Sequence, residues 1–363
     1  MKTNDDLQNM TDQSRQEDER MQYECEQAFL RRRYEEPDIK EEWGKLTARM
    51  DTNRVLPNRR KRILRLTALA GAIAAAILTA VFIPLGGLDT DTDDVKIVCT
   101  AEPEQPITIS EGENEILTRI EGNKLHTEKK GVIFSEQKAD YRKTRETTPK
   151  ISIVTIPRGH TYQIVLSDGT EVWMNADSRL HFPTKFTGNK REVKLEGEAY
   201  FKVAHDAEHP FIIHTDKVQT EVLGTEFNMR AYTHSPAHVT LVNGSVKIKM
   251  NEIDREVVLS PGEDIAYADS TFEITKVDTE YCAQWKDGWL YYDNVFLQDI
   301  LNDLGRWYNL TIQMDNDPSL MQMRLHFVAA KDDSIDSIIE NLNAMGYLNV
   351  TKNEKTLTVE RKK

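Results

Sequence analysis

The first sixty residues hold two stretches whose apolar residues recur at helical spacing. Met21, Cys25, Ala28 and Phe29 fall at i, i+4, i+7 and i+8. After Pro37, Asp38 and Glu41 stand at capping-box spacing, and Ile39, Trp43, Leu46 and Met50 repeat at i, i+4, i+7 and i+11. The pattern predicts two short amphipathic helices within residues 1–62. Helices this short bury too little to form a robust domain alone. Their apolar faces either pack on each other as a minimal hairpin or wait for a partner. Nothing nearby could cover Trp43, which favours the partner.

The pattern then changes to an unbroken apolar run. Leu66 to Leu88 holds no charged residue. A helix of that length spans about 34 Å, enough to cross a hydrocarbon core of about 30 Å. Arg59, Arg60, Lys61, Arg62 and Arg65 precede the run, and Asp89, Asp91, Asp93 and Asp94 follow it. Positive flanks stay in the cytoplasm, so residues 63–88 are predicted as one transmembrane helix with the N-terminus inside. A buried core helix would need no such charge asymmetry. A cleaved signal peptide would not have sixty residues before it.

Residues 89–149 are acidic, with short apolar runs at Val95–Val98, Ile116–Ile120 and Val132–Phe134. They predict a linker with a few short strands. From 150 to 275 the period becomes two: Tyr162, Ile164 and Leu166; Val172 and Met174; Val193 and Leu195; Phe227, Met229 and Ala231; Val246, Ile248 and Met250. Tyr200 stands out, with Phe201 and Val203 on the opposite parity. Turn signals such as Asp168-Gly169, Gly197, Gly224 and Asn243-Gly244 punctuate the alternation. This reads as an all-β domain, solenoid- or sandwich-like. Within 285–363 the pattern predicts a small α+β domain in the order β-α-β-β-α-β-β. Leu297, Ile300, Leu301 and Leu304 form one helix face, and Ser334 caps a second helix with Ile335, Ile338, Ile339 and Leu342 inward. The fold class is therefore a membrane-anchored multidomain chain: a short α-helical cytoplasmic segment, one transmembrane helix, an all-β domain and a C-terminal α+β domain.

Charge narrows the partners. Of 47 basic and 60 acidic residues, 14 of each lie in residues 1–62, whereas residues 89–363 carry 32 basic against 46 acidic. The outer part is thus a poor match for nucleic acid or anionic lipid. Candidate chemistry is sparse. His205 and His209, and His234 and His238, are four apart but flank prolines in what read as loops, so no metal site is expected. Asp168 sits in Ser-Asp-Gly, which is hairpin chemistry. Glu196 and Glu198 share one strand face and could form an acid/base pair, though no base partner or cleft is evident. Cys99 and Cys282 could pair in an oxidising compartment, but nothing in the sequence brings them together. No phosphate loop or nucleophile elbow is present. We expect no enzyme activity, catalytic residue, metal or cofactor.

Several motifs, taken together, resemble the FecR domain of transmembrane anti-sigma factors. They are Ile156-Pro157-Arg158-Gly159, Ser167-Asp168-Gly169-Thr170 through Asn175-Ala176-Asp177-Ser178, Gly197-Glu198-Ala199-Tyr200-Phe201, His209-Pro210-Phe211, Leu223-Gly224-Thr225-Glu226-Phe227-Asn228 and Gly244-Ser245-Val246. Leu304-Gly305-Arg306-Trp307-Tyr308-Asn309 is similar to the C-terminal domain that follows in Bacteroidetes members, itself similar to the secretin/TonB short N-terminal fold. The resemblance implies an inner-membrane protein that binds an extracytoplasmic-function sigma factor in the cytoplasm. Phe29, Ile39, Trp43 and Leu46 are its candidate contacts. It implies a periplasmic signal from the signalling domain of an outer-membrane TonB-dependent transporter, periplasmic and intramembrane proteases as further partners, and no direct contact with nucleic acid. It also implies self-cleavage at Gly224-Thr225 in part of the family. Read from the residues alone, the glycine is better explained as a turn or bulge before a strand. The competing function is a membrane-anchored periplasmic module for glycan or cell-wall material, which predicts a ligand groove on the β domain.

Overall fold

The alternating stretches become strands, and several bury one parity while leaving the other at least partly open to solvent. In the computed structural model, which describes residues 95–362 apart from 113–114, 122–123, 128–130 and 146–147, Ile151–Ile156 follows this pattern, as does Glu171–Met174. The strands are β1 (Val95–Cys99), β2 (Ile107–Glu111), β3 (Glu115–Glu121), β4 (Lys124–Thr127), β5 (Ile133–Phe134), β6 (Lys138–Asp140), β7 (Ile151–Ile156), β8 (Tyr162–Val165), β9 (Glu171–Met174) and β10 (Ser178–Pro183). They continue with β11 (Arg191–Lys202), β12 (Phe211–His214), β13 (Val218–Val222), β14 (Glu226–Ala231), β15 (Ala237–Asn243), β16 (Val246–Met250), β17 (Glu256–Leu259), β18 (Glu263–Ala268) and β19 (Thr271–Lys276). A 3-10 turn, Gln284–Asp287, leads to β20 (Trp289–Phe296), α1 (Leu297–Tyr308), β21 (Thr311–Asp315), α2 (Pro318–Met321), β22 (Arg324–Ala330), α3 (Ile335–Ala344), β23 (Leu348–Asn353) and β24 (Thr356–Arg361).

Strand β11 organises the β domain. Its first half pairs with β10 and, in parallel, with β12; its second half pairs with β9 and β14. One strand thereby belongs to two sheets. The switch falls at Gly197, whose φ is +95° and where a Cβ would stand 2.7 Å from the Asp177 carbonyl oxygen. Only glycine fits both the turn of the backbone and that close approach. Leu180, Val193 and Ile213 from one sheet and Ile164, Phe201 and Phe227 from the other meet in one buried core. The odd parity at Tyr200 has its explanation here. Phe201 points into that core, while Tyr200 on the opposite face is covered by Trp285 and Ala283 of the segment after β19.

The C-terminal domain has its own core. A four-stranded sheet runs β1-β21-β24-β23, and β20 pairs with β22 in a second, two-stranded sheet. Helix α1 buries the expected Leu297, Ile300, Leu301 and Leu304, together with Gly305 and Arg306. The Ser334 side chain caps α3 by accepting from the Ser337 amide. Helix α2 is an addition to the expected order; Asp317 caps it and Pro318 opens it.

The segment 89–149 departs from the expected linker. Its apolar runs are strands, as read, but they are not a tether. Strand β1 completes the C-terminal sheet, and β2 joins β7 in the β domain. A period-two run identifies a strand without identifying its partner, here more than two hundred residues away. Residues 1–94, with the predicted cytoplasmic helices and the 63–88 span, lie outside the described residues. Among the described residues no helix is long and apolar enough to cross a membrane.

Candidate functional site

The β domain meets the C-terminal domain in a polar junction, built in part from motif residues. Asp303 on α1 is its centre. It accepts two hydrogen bonds from Arg230 of β14, at 2.8 and 2.7 Å, and one from Arg306 at 2.8 Å. The Tyr292 hydroxyl reaches it at 3.3 Å. Burial alone would raise the Asp303 carboxyl, but the two guanidiniums overcome that and hold it at about 2. Burial, reinforced by Asp303, pushes the Tyr292 hydroxyl well above its ordinary range, so it stays protonated. The Arg306 guanidinium lies 3.9 Å over the Tyr232 ring of the β domain, and its carbonyl accepts from the Gly159 amide.

A second contact flanks the first. Glu198, 5% exposed, accepts from the side-chain amides of Asn175 and Asn228 at 2.9 Å each. The Trp285 indole donates to Asn228, and Lys331 from the C-terminal domain donates to Asn175 at 3.1 Å. Lys331 is 8% exposed and lies 4.1 Å over the Trp307 ring. Burial lowers its ammonium to about 8, against the pull of Glu198 and Asp303. Two clefts, of about 700 and 720 Å³, open on either side of the Tyr232–Arg306 contact, and both residues line each of them. The Asp303 cluster thus stands as a charged pillar between the domains, beside the apolar cover of Trp285 and Ala283 on Tyr200.

The residues singled out in the sequence take different places. Asn175, Glu198, Asn228 and Arg306 enter the junction. Glu196 does not pair with Glu198: the bend at Gly197 sends it to Arg179 and Lys194 on the outer face, so the acid/base idea fails on geometry. Asp168 does more than turn the chain. It binds the amide and hydroxyl of Thr170 and an ion pair at 2.8 Å with Arg191, which is 3% exposed. His205 and His209 lie in a loop, but His238 is on β15, bonded to Asp264. Cys99 and Cys282 are both free, which removes the disulfide. Among the described residues no group of histidine, cysteine and carboxylate side chains could hold a metal. Phe29, Ile39, Trp43 and Leu46 lie outside the described residues.

Gly224 and Thr225 form the tight connection between β13 and β14. Gly224 is not in the left-handed region, so strain there is not the reason for glycine. Space is: a Cβ would stand 2.5 Å from Nδ1 and 2.8 Å from Cα of His205. Thr225 is 6% exposed and its hydroxyl donates to the Ser245 carbonyl at 2.9 Å.

Sequence reasoning missed Arg230, Asp303 and Lys331 as site residues. Charged side chains on a strand or helix usually face water, and nothing in the chain marked these as meeting. Tyr232 and Trp285 carried a faint signal as large aromatics outside the core periodicity.

Comparison with known proteins agrees with this layout. Residues 152–247 match FecR protein, and residues 289–359 match the FecR C-terminal family. Two crystal structures of a protein from Parabacteroides distasonis, provisionally named an anti-sigma factor, have a similar fold. One, at 1.65 Å resolution, is 27% identical over 58% of this chain and 99% of its own, with a TM-score of 0.54. The other, at 2.50 Å, is 27% identical over 59% and 100%, also with a TM-score of 0.54. A search of curated proteins found no match. Both folded domains thus match FecR family models, in order along the chain.

Proposed function

We propose that the chain is a single-pass inner-membrane anti-sigma factor. The observation that carries this reading is the pair of family matches, joined by a likeness to anti-sigma factor structures across more than half of the chain. In this reading residues 63–88 span the membrane. Phe29, Ile39, Trp43 and Leu46 hold an extracytoplasmic-function sigma factor in the cytoplasm. The folded region receives a periplasmic signal from the signalling domain of a TonB-dependent transporter. The relay is a chain of coupled binding equilibria. The full-length protein should co-purify with one sigma factor of its own cell. Trp43→Ala should weaken that complex by about 2–4 kcal/mol, as expected for a buried aromatic hot spot. Unchanged affinity in titration calorimetry would remove Trp43 from the contact. Capture of no sigma factor by the full chain would sink the reading as a whole.

The competing glycan-binding module predicted a groove on the β domain itself. The two clefts described above lie at the junction, with walls from both domains. That placement suits a relay better than a binding module.

Self-cleavage at Gly224-Thr225 is a second-tier proposal. The observation in its favour is the His205 imidazole packed against Gly224. The Thr225 hydroxyl would add to the Gly224 carbonyl carbon and the C–N bond would break, leaving the proton on the Thr225 amine. Water would then hydrolyse the ester. Against it, the same imidazole accounts for the glycine without chemistry, and the hydroxyl is engaged with Ser245. A denaturing gel of fresh protein decides. A fragment beginning at Thr225, absent in Thr225→Ala, supports cleavage. A single band after long incubation leaves a tight turn.

A further inference from the structure

The eight residues from Val95 to Glu102 are gripped from two sides. The C-terminal domain holds them through the β1–β21 ladder, through Thr311, whose hydroxyl accepts from the Ala101 amide at 2.9 Å, and through Asn309, which accepts from the Glu102 amide and donates to its carbonyl. Helix α1 closes on them from behind: a Cβ at Gly305 would stand 2.8 Å from the Cys99 sulfur. The β domain holds the same residues through Arg158. Its guanidinium donates to the Thr100 carbonyl and to Cys99 Sγ, and pairs with Glu102 at 3.7 Å and with Asp177 of its own domain at 3.2 Å. Both grips can be satisfied only while the C-terminal domain is seated on the β domain.

Strand β1 is the weaker partner in that arrangement. It lies at the sheet edge, it is five residues long, and its register on β21 slips between Ile97 and Cys99. Val95 and Ile97 are 41% and 62% exposed, so little apolar burial holds its outer side. The four residues from 103 to 106, which lead to β2, reach at most about 14 Å when extended. Covalently, β1 is also the path by which the folded region connects to residues 1–94.

We infer that β1 is the output element of the folded region: unseating the C-terminal domain at the Asp303 pillar peels β1 from β21, because Arg158 keeps the strand's trailing end on the β domain. This rests on the proposed relay and names the segment through which it runs. The device converts a tilt between two domains into release of the strand nearest the predicted span, and Arg158 is the residue that makes the two events one.

The test is hydrogen exchange on the full chain in detergent micelles, read at the amides of residues 95–99. Arg230→Gln removes the β-domain side of the pillar. It should speed β1 exchange at least tenfold while amides in β11 and β24 keep their protection. Adding Arg158→Gln to it should restore slow exchange, because β1 then travels with the C-terminal sheet. Unchanged β1 exchange in Arg230→Gln overturns the inference. So does fast exchange that persists in the double variant, since the strand would then be leaving on its own. Should Arg230→Gln fail to fold, Lys331→Met breaks the contact to Asn175 at similar volume and is read in the same way. A disulfide between Ile97→Cys and Gln313→Cys, which face each other across the ladder, should keep β1 slow in every background when oxidised and release it when reduced. The measurement needs neither sigma factor nor inducer, so its failure and the failure of sigma binding are separate results.

Discussion

Asp303→Asn should split one melting transition into two. The carboxylate is the shared acceptor of Arg230 and Arg306, and its side chain is 16% exposed. The amide keeps its shape but not its charge, leaving two guanidiniums facing each other in a largely dry site. Removing one partner of a buried ion pair costs about 3–5 kcal/mol. Each domain has its own core, so the loss falls on their coupling rather than on either core. Scanning calorimetry of wild type should show the β and C-terminal domains unfolding together, and the variant should show the C-terminal domain unfolding first. A single transition within 1–2 degrees of wild type would show that the pillar is not what couples them.

The same residue gives a pH signature. The Asp303 carboxyl is held at about 2 in the folded protein, below its ordinary value of 3.8. A depressed carboxyl contributes stability that is complete above its unfolded value and is lost as pH falls toward the folded one. The coupling should therefore be full above about pH 5 and fade between about pH 4 and 2, by roughly 2 kcal/mol. Asp140, Asp206 and Asp317 are also lowered by their own partners and add a background slope. The difference between wild type and Asp303→Asn cancels that background. A difference that is flat from pH 5 to pH 2.5 would mean that Asp303 does not titrate in this window.

How far the sequence could be read depended on the range of the interaction. Period-two alternation exposed the strands of the β domain because each strand needs only its own two faces. The faces of α1 and α3 were legible for the same reason, and Ser334 marked its helix start through a contact three residues away. Where partners are distant in sequence, the signal stops. Val95–Val98 announced a strand, but its place in the C-terminal sheet depends on Met314 and Gln313. The two parities at Tyr200 and Phe201 were visible, while the Trp285 cover that explains them was not. Of the junction, the sequence displayed Arg158, Asn175, Glu198, Asn228 and Arg306 as parts of separate motifs. That Asn175 meets Lys331 is a property of how two domains dock, and no local pattern encodes it.

Arg191 shows the same limit inside one domain and leads to the other large effect. Read locally, Asp168 serves a hairpin, and it does bind Thr170 two residues on. It also anchors a guanidinium from β11. Arg191 donates to Asp168 and to the carbonyls of His209 and Ala204, each at 2.8 Å, and lies 5.4 Å over the Phe211 ring. The residue thereby ties the β8–β9 turn to the loop between β11 and β12, which holds His205 against Gly224. Arg191→Met keeps most of the side-chain volume but strands a carboxylate and two carbonyls in a buried place. It should cost about 3–5 kcal/mol, a large part of the 5–15 kcal/mol that holds a typical domain together. Arg191→Lys should recover only part, since an ammonium cannot reproduce the forked donors that reach three acceptors at once. Adding Asp168→Asn to Arg191→Met should recover some stability by removing the uncompensated charge, but not all, because the turn still needs an acceptor for the Thr170 amide. Urea denaturation of the four proteins checks the order wild type, Arg191→Lys, double variant, Arg191→Met. If Arg191→Met stays within 1 kcal/mol of wild type, the guanidinium is not holding these loops. If the double variant is no more stable than Arg191→Met, the stranded Asp168 charge costs nothing and the ion pair carries no coupling.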